Sequence, residues 1–150
     1  MARGAKDYPV PDFLIEAGIQ QETYGRWLDR ITNAHVGRDR DRLGAEIKPA
    51  IYRKAIHEAV QRCKGKDAYT GQPLDFRLLE FIAGAPVLGR DETLVPTLDH
   101  VVLNPLHPRF EFCSLRTNKC KADLTAEELL DFARAIVTYS GETKDTPTNH

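Results

Sequence analysis

The part of the sequence that most constrains the fold runs from residue 97 to residue 136, where the pattern predicts two strands and then a helix. The segments TLDHVVL (97–103) and FEFCSL (110–115) are rich in β-branched and aromatic residues, and both are predicted as strands. Thr125 and Glu128 form the capping-box pattern T-x-x-E, which is typical of a helix start. We expect this helix to bury four apolar residues: Leu129, Phe132, Ala133 and Ile136.

The first half of the chain is predicted to be helical. The segment PDFLIEAGI (11–19) begins with proline and aspartate and has a glycine near its end, as a short helix does. Residues 21–44 carry apolar side chains at helical spacing, and a third helix is predicted to begin near Pro49. Residues 74–82 are ambiguous between helix and strand, and residues 83–96 are predicted as loop.

Helices followed by a small pair of strands predict an α+β fold. We expect a single domain of residues 1–150, with a helical part (1–66) packed on the strands and last helix (67–140), and a disordered tail (141–150). No apolar run approaches the roughly 20 residues that span a bilayer. The N-terminus has no signal-peptide core, so we expect a cytoplasmic protein without a membrane partner.

Charge is distributed unevenly, although the net charge is only −1. Residues 36–66, here called the basic zone, contain nine Lys or Arg against four Asp or Glu, whereas residues 122–150 contain two against six. The basic zone can be a surface that faces phosphates, or a solvated helix face with interleaved ion pairs. Three cysteines without a C-x-x-C pair argue against both a disulfide framework and a four-cysteine zinc site.

Asp99 and His100 interrupt the first predicted strand with a carboxylate and an imidazole. Histidine can act as a general base near neutral pH, and carboxylate and amide oxygens suit Mg²⁺ or Mn²⁺. Asn118, in the polar segment before the last helix, can supply the amide. Because neighbouring side chains point to opposite faces of a strand, Asp99 and His100 can share one site only if the strand twists or bulges there, or if both reach around its end.

These residues belong to a longer pattern that resembles the HNH endonuclease family, whose fold is a ββα-metal finger. The resemblance covers about residues 63–137 and leaves the helical N-terminal part outside it. The matching motifs are Asp99-His100-Val101, Asn118-Lys119-Cys120-Lys121, ADLTAEEL (122–129) and YTGQPL (69–74), the last of which is similar to the first knuckle of such proteins.

The resemblance implies a role for each matching position. His100 falls on the general base, and Asp99 and Asn118 fall on the ligands of one divalent ion, Mg²⁺ or Mn²⁺. Lys121 falls on a basic position that contacts phosphate or supports the fold, and Arg116 is a further candidate for a phosphate contact. The substrate implied is DNA, with RNA as the alternative.

Two departures from the family pattern are visible. The first concerns the zinc knuckles, whose cysteines are absent, so no structural zinc is expected. The N-terminal helices must then hold the finger together by packing, with Trp27, Phe110 and Phe112 as the main contributors. The four residues that stand at the cysteine positions are Asp67, Thr70, Ser114 and Thr117.

The second departure concerns the residue that orients the base. The family has an asparagine about nine residues before the final ligand, and Arg109 stands there in this chain. Arg109 is therefore a candidate for a phosphate contact rather than for orientation of His100. Asn104, His107 or a backbone carbonyl are the alternatives for that role.

Three functions remain open at this point. The first is a metal-dependent endonuclease. The second is a non-catalytic module on the same scaffold that binds nucleic acid or protein. The third is a small DNA-binding regulator that uses the N-terminal helices. With one site per chain, cutting both strands of DNA needs a homodimer or two successive visits.

Overall fold

The computed structural model of the chain describes residues 7–83 and 91–144. Strands β1 (Pro96–Val102) and β2 (Arg109–Ser114) form a two-stranded antiparallel sheet, so the predicted α+β class is confirmed. A 3₁₀ helix at Phe76–Ala83 lies in the segment whose pattern was ambiguous. The α-helices of the described ranges are α1 (Asp12–Glu16), α2 (Gln21–Leu43), α3 (Pro49–Cys63), α4 (Leu115–Lys121) and α5 (Ala126–Lys144).

The chain divides into an N-terminal unit (Met1–Asn118) and a C-terminal unit (Lys119–His150). In the N-terminal unit, α2 ends at Gly44, whose φ of 60° is a left-handed conformation that glycine adopts easily. Pro49 begins α3 at a position where the missing N–H has no helical partner to lose. The predicted helix boundaries at Gly44 and Pro49 are therefore confirmed.

The register of the hairpin determines which side chains share a face. Leu98 pairs with Phe112 and His100 with Phe110, while Asp99 pairs with Glu111 on the opposite face. A β-bulge follows directly, since the register shifts between His100 and Val102. The strand therefore bulges one residue after His100, and Asp99 and His100 remain on opposite faces.

One face of the hairpin packs on the N-terminal helices. Phe110 and Phe112 are fully buried, and the indole of Trp27 on α2 lies 6.0 Å from the ring of Phe112. The ring of Tyr52 on α3 lies 5.5 Å from the ring of Phe110. Aromatic pairs at these distances contribute on the order of 1 kcal/mol beyond the apolar area they bury. The prediction that Trp27, Phe110 and Phe112 pack the strands against the N-terminal helices is confirmed.

The last part of the chain differs from the prediction. Residues 116–121, the larger part of the segment 116–124 predicted as a polar junction, lie in helix α4, as does Leu115 from the end of the second predicted strand. The capping box of α5 is confirmed, because the N–H of Thr125 donates to Glu128 and the N–H of Glu128 donates to the Thr125 hydroxyl. Helix α5 continues to Lys144, so residues 141–144 of the predicted tail are helical and residues 145–150 lie outside the described part.

The predicted burial of the α5 stripe is wrong. Phe132 is 60% exposed and Ile136 is 52% exposed, Ala133 is exposed, and Leu129 is only partly buried. The 3.6-residue period shows which face of a helix is apolar, but the period contains no information about what covers that face. Among the described residues, no helix has the length and apolarity that crossing a membrane requires.

Candidate active site

His100 points into the N-terminal unit and is paired with a carboxylate of α2. Its Nδ1 lies 2.9 Å from Oδ2 of Asp39, and the two side chains are 10% and 7% exposed. The hydroxyl of Tyr52 on α3 donates to the same oxygen of Asp39 at 2.7 Å. Three elements that are distant in sequence, α2, α3 and β1, thus meet at one buried carboxylate.

The ring of His100 is held on several sides. It stacks on Phe110 at 4.2 Å between centroids, and the rings of Tyr52 and His35 meet it edge-on at 5.7 and 6.2 Å. Nδ1 faces Asp39, whereas Nε2 is buried and has no hydrogen-bond partner in the described part of the chain. A buried polar atom without a partner is rare in folded proteins and is often functional.

Burial lowers the pKa of His100 below its usual value, although Asp39, the backbone of Val102 and Asp99 all act to raise it. Arg42 adds to the lowering, which places this arginine within electrostatic range of the imidazole. Burial likewise lowers the pKa of His35 to about 4, with further lowering from Arg38 and His100. Both imidazoles are therefore neutral at pH 7.

Asp99 lies on the other face of the hairpin, against residues 69–74, here called the knuckle after the resemblance. The hydroxyl of Tyr69 donates to its Oδ2 at 2.5 Å, and Asp99 is only 8% exposed. Burial raises the pKa of Tyr69, and its hydrogen bond to Asp99 raises it further, so the phenol remains a donor. Asp99 therefore ties the knuckle to β1.

The predicted metal ligands, Asp99 and Asn118, lie on different elements. Asn118 is half-buried on α4, and Asp99 faces Tyr69 across the sheet from the imidazole of His100. Among the described residues, no three His, Cys, Asp or Glu side chains form a group that could hold a metal ion. The predicted base, His100, thus lies on the opposite face of the hairpin from the predicted ligand Asp99, and the Mg²⁺ or Mn²⁺ site of Asp99 and Asn118 stays a prediction.

The alternatives for orienting His100 need correction. Asn104 accepts hydrogen bonds from the N–H groups of Leu106 and His107, which makes it the first residue of a turn between the strands. His107 is exposed in that turn. Neither side chain bonds the imidazole, since Nδ1 is paired with Asp39 and Nε2 has no described partner.

The three predicted phosphate contacts have different surroundings. Arg109 is 61% exposed and donates twice to Glu111, at 3.0 and 2.8 Å. Arg116 is also 61% exposed, and its guanidinium lies 3.6 Å from Glu92. Lys121 is buried at the end of α4. The two arginines are accessible to a phosphate, whereas Lys121 fits the supporting role that the resemblance also allowed.

The two interpretations of the basic zone, an ion-paired helix face and a phosphate-facing surface, each fit a different part of it. Three of its cations form ion pairs, as expected for a solvated helix face. The pairs are Arg53 with Asp29 at 2.7 Å, Lys54 with Glu58 at 3.7 Å and Arg62 with Glu111 at 3.5 Å. In contrast, the end of α2 carries three exposed arginines, Arg38, Arg40 and Arg42. Of these, Arg42 lies within electrostatic range of His100 and Arg38 lies 3.2 Å from Nε2 of His35.

Asp39 and Tyr52 are the functional candidates that sequence reasoning missed. Asp39 lies within GRDRDR (37–42), part of the basic zone, for which the sequence left a phosphate-facing surface and a solvated face as alternatives. Its spacing was the available signal, because Ile31, His35 and Asp39 follow one another at helical intervals, and all three are buried.

A second buried carboxylate, Asp67, joins the four positions at which the resemblance places zinc cysteines. One oxygen accepts from the N–H groups of Tyr69 and Thr70, at 2.8 and 3.1 Å. The other accepts from the N–H of Ser114 and the hydroxyl of Thr117, at 2.8 and 2.7 Å. We call these five residues the Asp67 network, and it links the knuckle to the end of β2 and the start of α4.

No protein-family model, curated protein or solved structure matches this chain.

Proposed function

We propose that the chain is an HNH-type endonuclease that hydrolyses phosphodiester bonds of DNA, with His100 as the general base. The observation that carries this proposal is the buried pair of Asp39 and His100, in which Nδ1 faces a carboxylate at 2.9 Å and Nε2 has no partner among the described residues. A carboxylate that orients an imidazole and leaves a lone pair on its second nitrogen is an arrangement that general bases use.

The charge state of His100 supports the same role. A general base must be neutral before it accepts a proton, and burial lowers the pKa of His100, which keeps the ring neutral at pH 7. In the proposed step, Nε2 takes a proton from the attacking water as the new P–O bond forms and the bond to the leaving oxygen breaks. Asp39 then stabilises the imidazolium that results.

The surroundings of His100 support a polyanionic substrate. Arg42 lies within electrostatic range of the imidazole, and Arg38 and Arg40 are exposed on the same end of α2. Guanidinium groups bind phosphate oxygens in a forked geometry and draw polyanions to a surface. We propose that this end of α2 contacts the backbone of the DNA.

The test is a plasmid-nicking assay with Mg²⁺ or Mn²⁺ and with EDTA as a control. The wild-type protein is expected to nick the plasmid, and His100→Gln is expected to lower the rate by about 10²–10⁴-fold, the usual contribution of a general base. Glutamine can still donate to Asp39, so the fold is retained, which circular dichroism would check. Glu22→Gln, an exposed change at the opposite end of α2 from Asp39, is the matched control and is expected to leave the rate unchanged. A wild-type protein that binds DNA but produces no nicked plasmid would contradict the proposal.

The second candidate is a non-catalytic module that binds nucleic acid. It is favoured by the burial of the His100 imidazole and by the position of Asp99 on the opposite face of the hairpin. In that case Asp39, His100 and Asp99 serve only to dock the hairpin on its neighbours. DNA binding without cleavage, which weakens steeply as salt rises and is unchanged in His100→Gln, would favour this candidate.

A further inference from the structure

The orientation of His100 has a specific chemical consequence. A carboxylate carries no proton and only accepts hydrogen bonds, so an imidazole nitrogen that contacts it at 2.9 Å must be the protonated one. Because the neutral ring has one proton, protonation of Nδ1 leaves a lone pair on Nε2. The contact with Asp39 therefore selects one of the two tautomers.

Asp39 is itself held in place by α3. The hydroxyl of Tyr52 donates to its Oδ2 at 2.7 Å, and burial together with Asp39 raises the pKa of Tyr52, so the phenol stays protonated. The rings of Phe110 and His35 fix the plane of the imidazole. The charged and titratable groups around the ring are Asp39, Arg42 and His35 from α2, Tyr52 from α3 and Asp99 from its own strand.

We propose that Asp39 is the positioning residue of His100, holding the imidazole with its proton on Nδ1 and its lone pair on Nε2. The catalytic meaning of this assignment rests on the proposed endonuclease function, whereas the tautomer is a property of the protein alone. Asp39 thus takes the role for which the sequence offered Asn104 or His107, alongside the backbone of Val102, which hydrogen-bonds the imidazole as the backbone alternative expected. The role of Tyr52 is indirect, because its hydroxyl bonds Asp39 and so orients that carboxylate rather than His100.

The tautomer can be measured in the wild-type protein without any substitution. Long-range ¹H–¹⁵N correlation spectra of the histidine rings distinguish a protonated from an unprotonated ring nitrogen. Spectra recorded at mildly alkaline pH, where the ring is neutral, are expected to show His100 protonated at Nδ1. Assignment uses His100→Gln, whose spectrum lacks the corresponding signals.

Two variants then distinguish the effect of Asp39 on the tautomer from the effect of Tyr52. In Asp39→Asn the amide can either accept or donate, so the Nε2-protonated tautomer is expected to appear. In Tyr52→Phe the carboxylate remains, and the wild-type tautomer is expected to persist. For nicking, Asp39→Asn is expected to lower kcat by about tenfold or more with KM within about twofold of wild type, since the oriented base acts in the chemical step. Glu22→Gln, exposed at the other end of α2, is the matched control for both measurements.

The outcomes distinguish this inference from the proposed function. A wild-type His100 protonated at Nε2, or an Asp39→Asn spectrum identical to that of the wild type, overturns the inference whether or not DNA is cut. An Nδ1-protonated ring in a protein that binds but never cuts DNA overturns the proposed endonuclease function and leaves the assignment of the tautomer standing.

Discussion

Asp67→Asn is expected to lower the free energy of unfolding of the N-terminal unit by about 3 kcal/mol. The buried carboxylate accepts four hydrogen bonds, whereas the amide that replaces it has one accepting oxygen and one donating nitrogen. The carboxylate is only 2% exposed, so water cannot replace the lost partners. The amide nitrogen would face either the N–H of Ser114 or the N–H groups of Tyr69 and Thr70. Urea denaturation followed by tryptophan fluorescence measures the change, since Trp27 is buried in the same unit.

The same carboxylate makes the protein sensitive to acid. Burial by itself raises the pKa of Asp67, but the hydrogen bonds from Ser114, Thr117, Tyr69 and Thr70 outweigh this effect and lower it below the usual value. A group with a lowered folded-state pKa contributes its stability above the unfolded pKa, which is about 3.9 for aspartate. The contribution is therefore complete above about pH 5 and is lost as the pH falls through the folded pKa.

Glu58→Gln is the matched control for Asp67→Asn. Glu58 pairs with Lys54 at 3.7 Å on an exposed helix face, where an ion pair contributes about 0.5 kcal/mol or less. Equal stabilities of Asp67→Asn and Glu58→Gln, together with identical acid unfolding of wild type and Asp67→Asn, would show that the Asp67 network does not hold the knuckle.

Replacement of Asp67, Thr70, Ser114 and Thr117 by cysteine is expected to create a zinc site at these four positions. The side-chain oxygens of Ser114 and Thr117 lie 2.9 Å apart, and the Thr117 hydroxyl lies 2.7 Å from Asp67, so these three side chains already converge. Thr70 is joined to Asp67 through its N–H. Four thiolates at about 2.3 Å from one ion form a tetrahedral structural site, which contributes roughly 10 kcal/mol or more of apparent binding energy in small zinc domains.

The zinc experiment tests the HNH resemblance without requiring any activity. The variant carrying all four cysteines is expected to bind one Zn²⁺ per chain, to unfold at a higher temperature with the ion than without it, and to give the absorption of a tetrahedral thiolate site with Co²⁺. A three-cysteine variant that keeps Thr117 controls for the native Cys63, Cys113 and Cys120, and it should bind more weakly. If the four-cysteine protein folds and binds no better than this control, the four positions do not form a knuckle.

Local rules in the sequence predicted the elements well because each rule acts within a few residues. The glycine and proline signals at Gly44 and Pro49 marked helix ends, and the T-x-x-E pattern marked the start of α5. The alternation of FEFCSL predicted a strand whose aromatic side chains are buried against the helices. The burial of the α5 stripe could not be predicted in the same way, because a helix face is covered or exposed according to distant parts of the chain.

The sequence by itself determined the pair of strands, the helices that precede and follow them, and the presence of a carboxylate and an imidazole side by side in β1. Only the tertiary structure decided what those two side chains do. It sends His100 to Asp39 on α2 and Asp99 to Tyr69, 30 residues away in the knuckle, and it joins Asp67 to residues 47 and 50 positions further along the chain. Such partners are selected when elements pack and buried polar groups must find hydrogen bonds. That requirement depends on burial, which no motif in the sequence encodes.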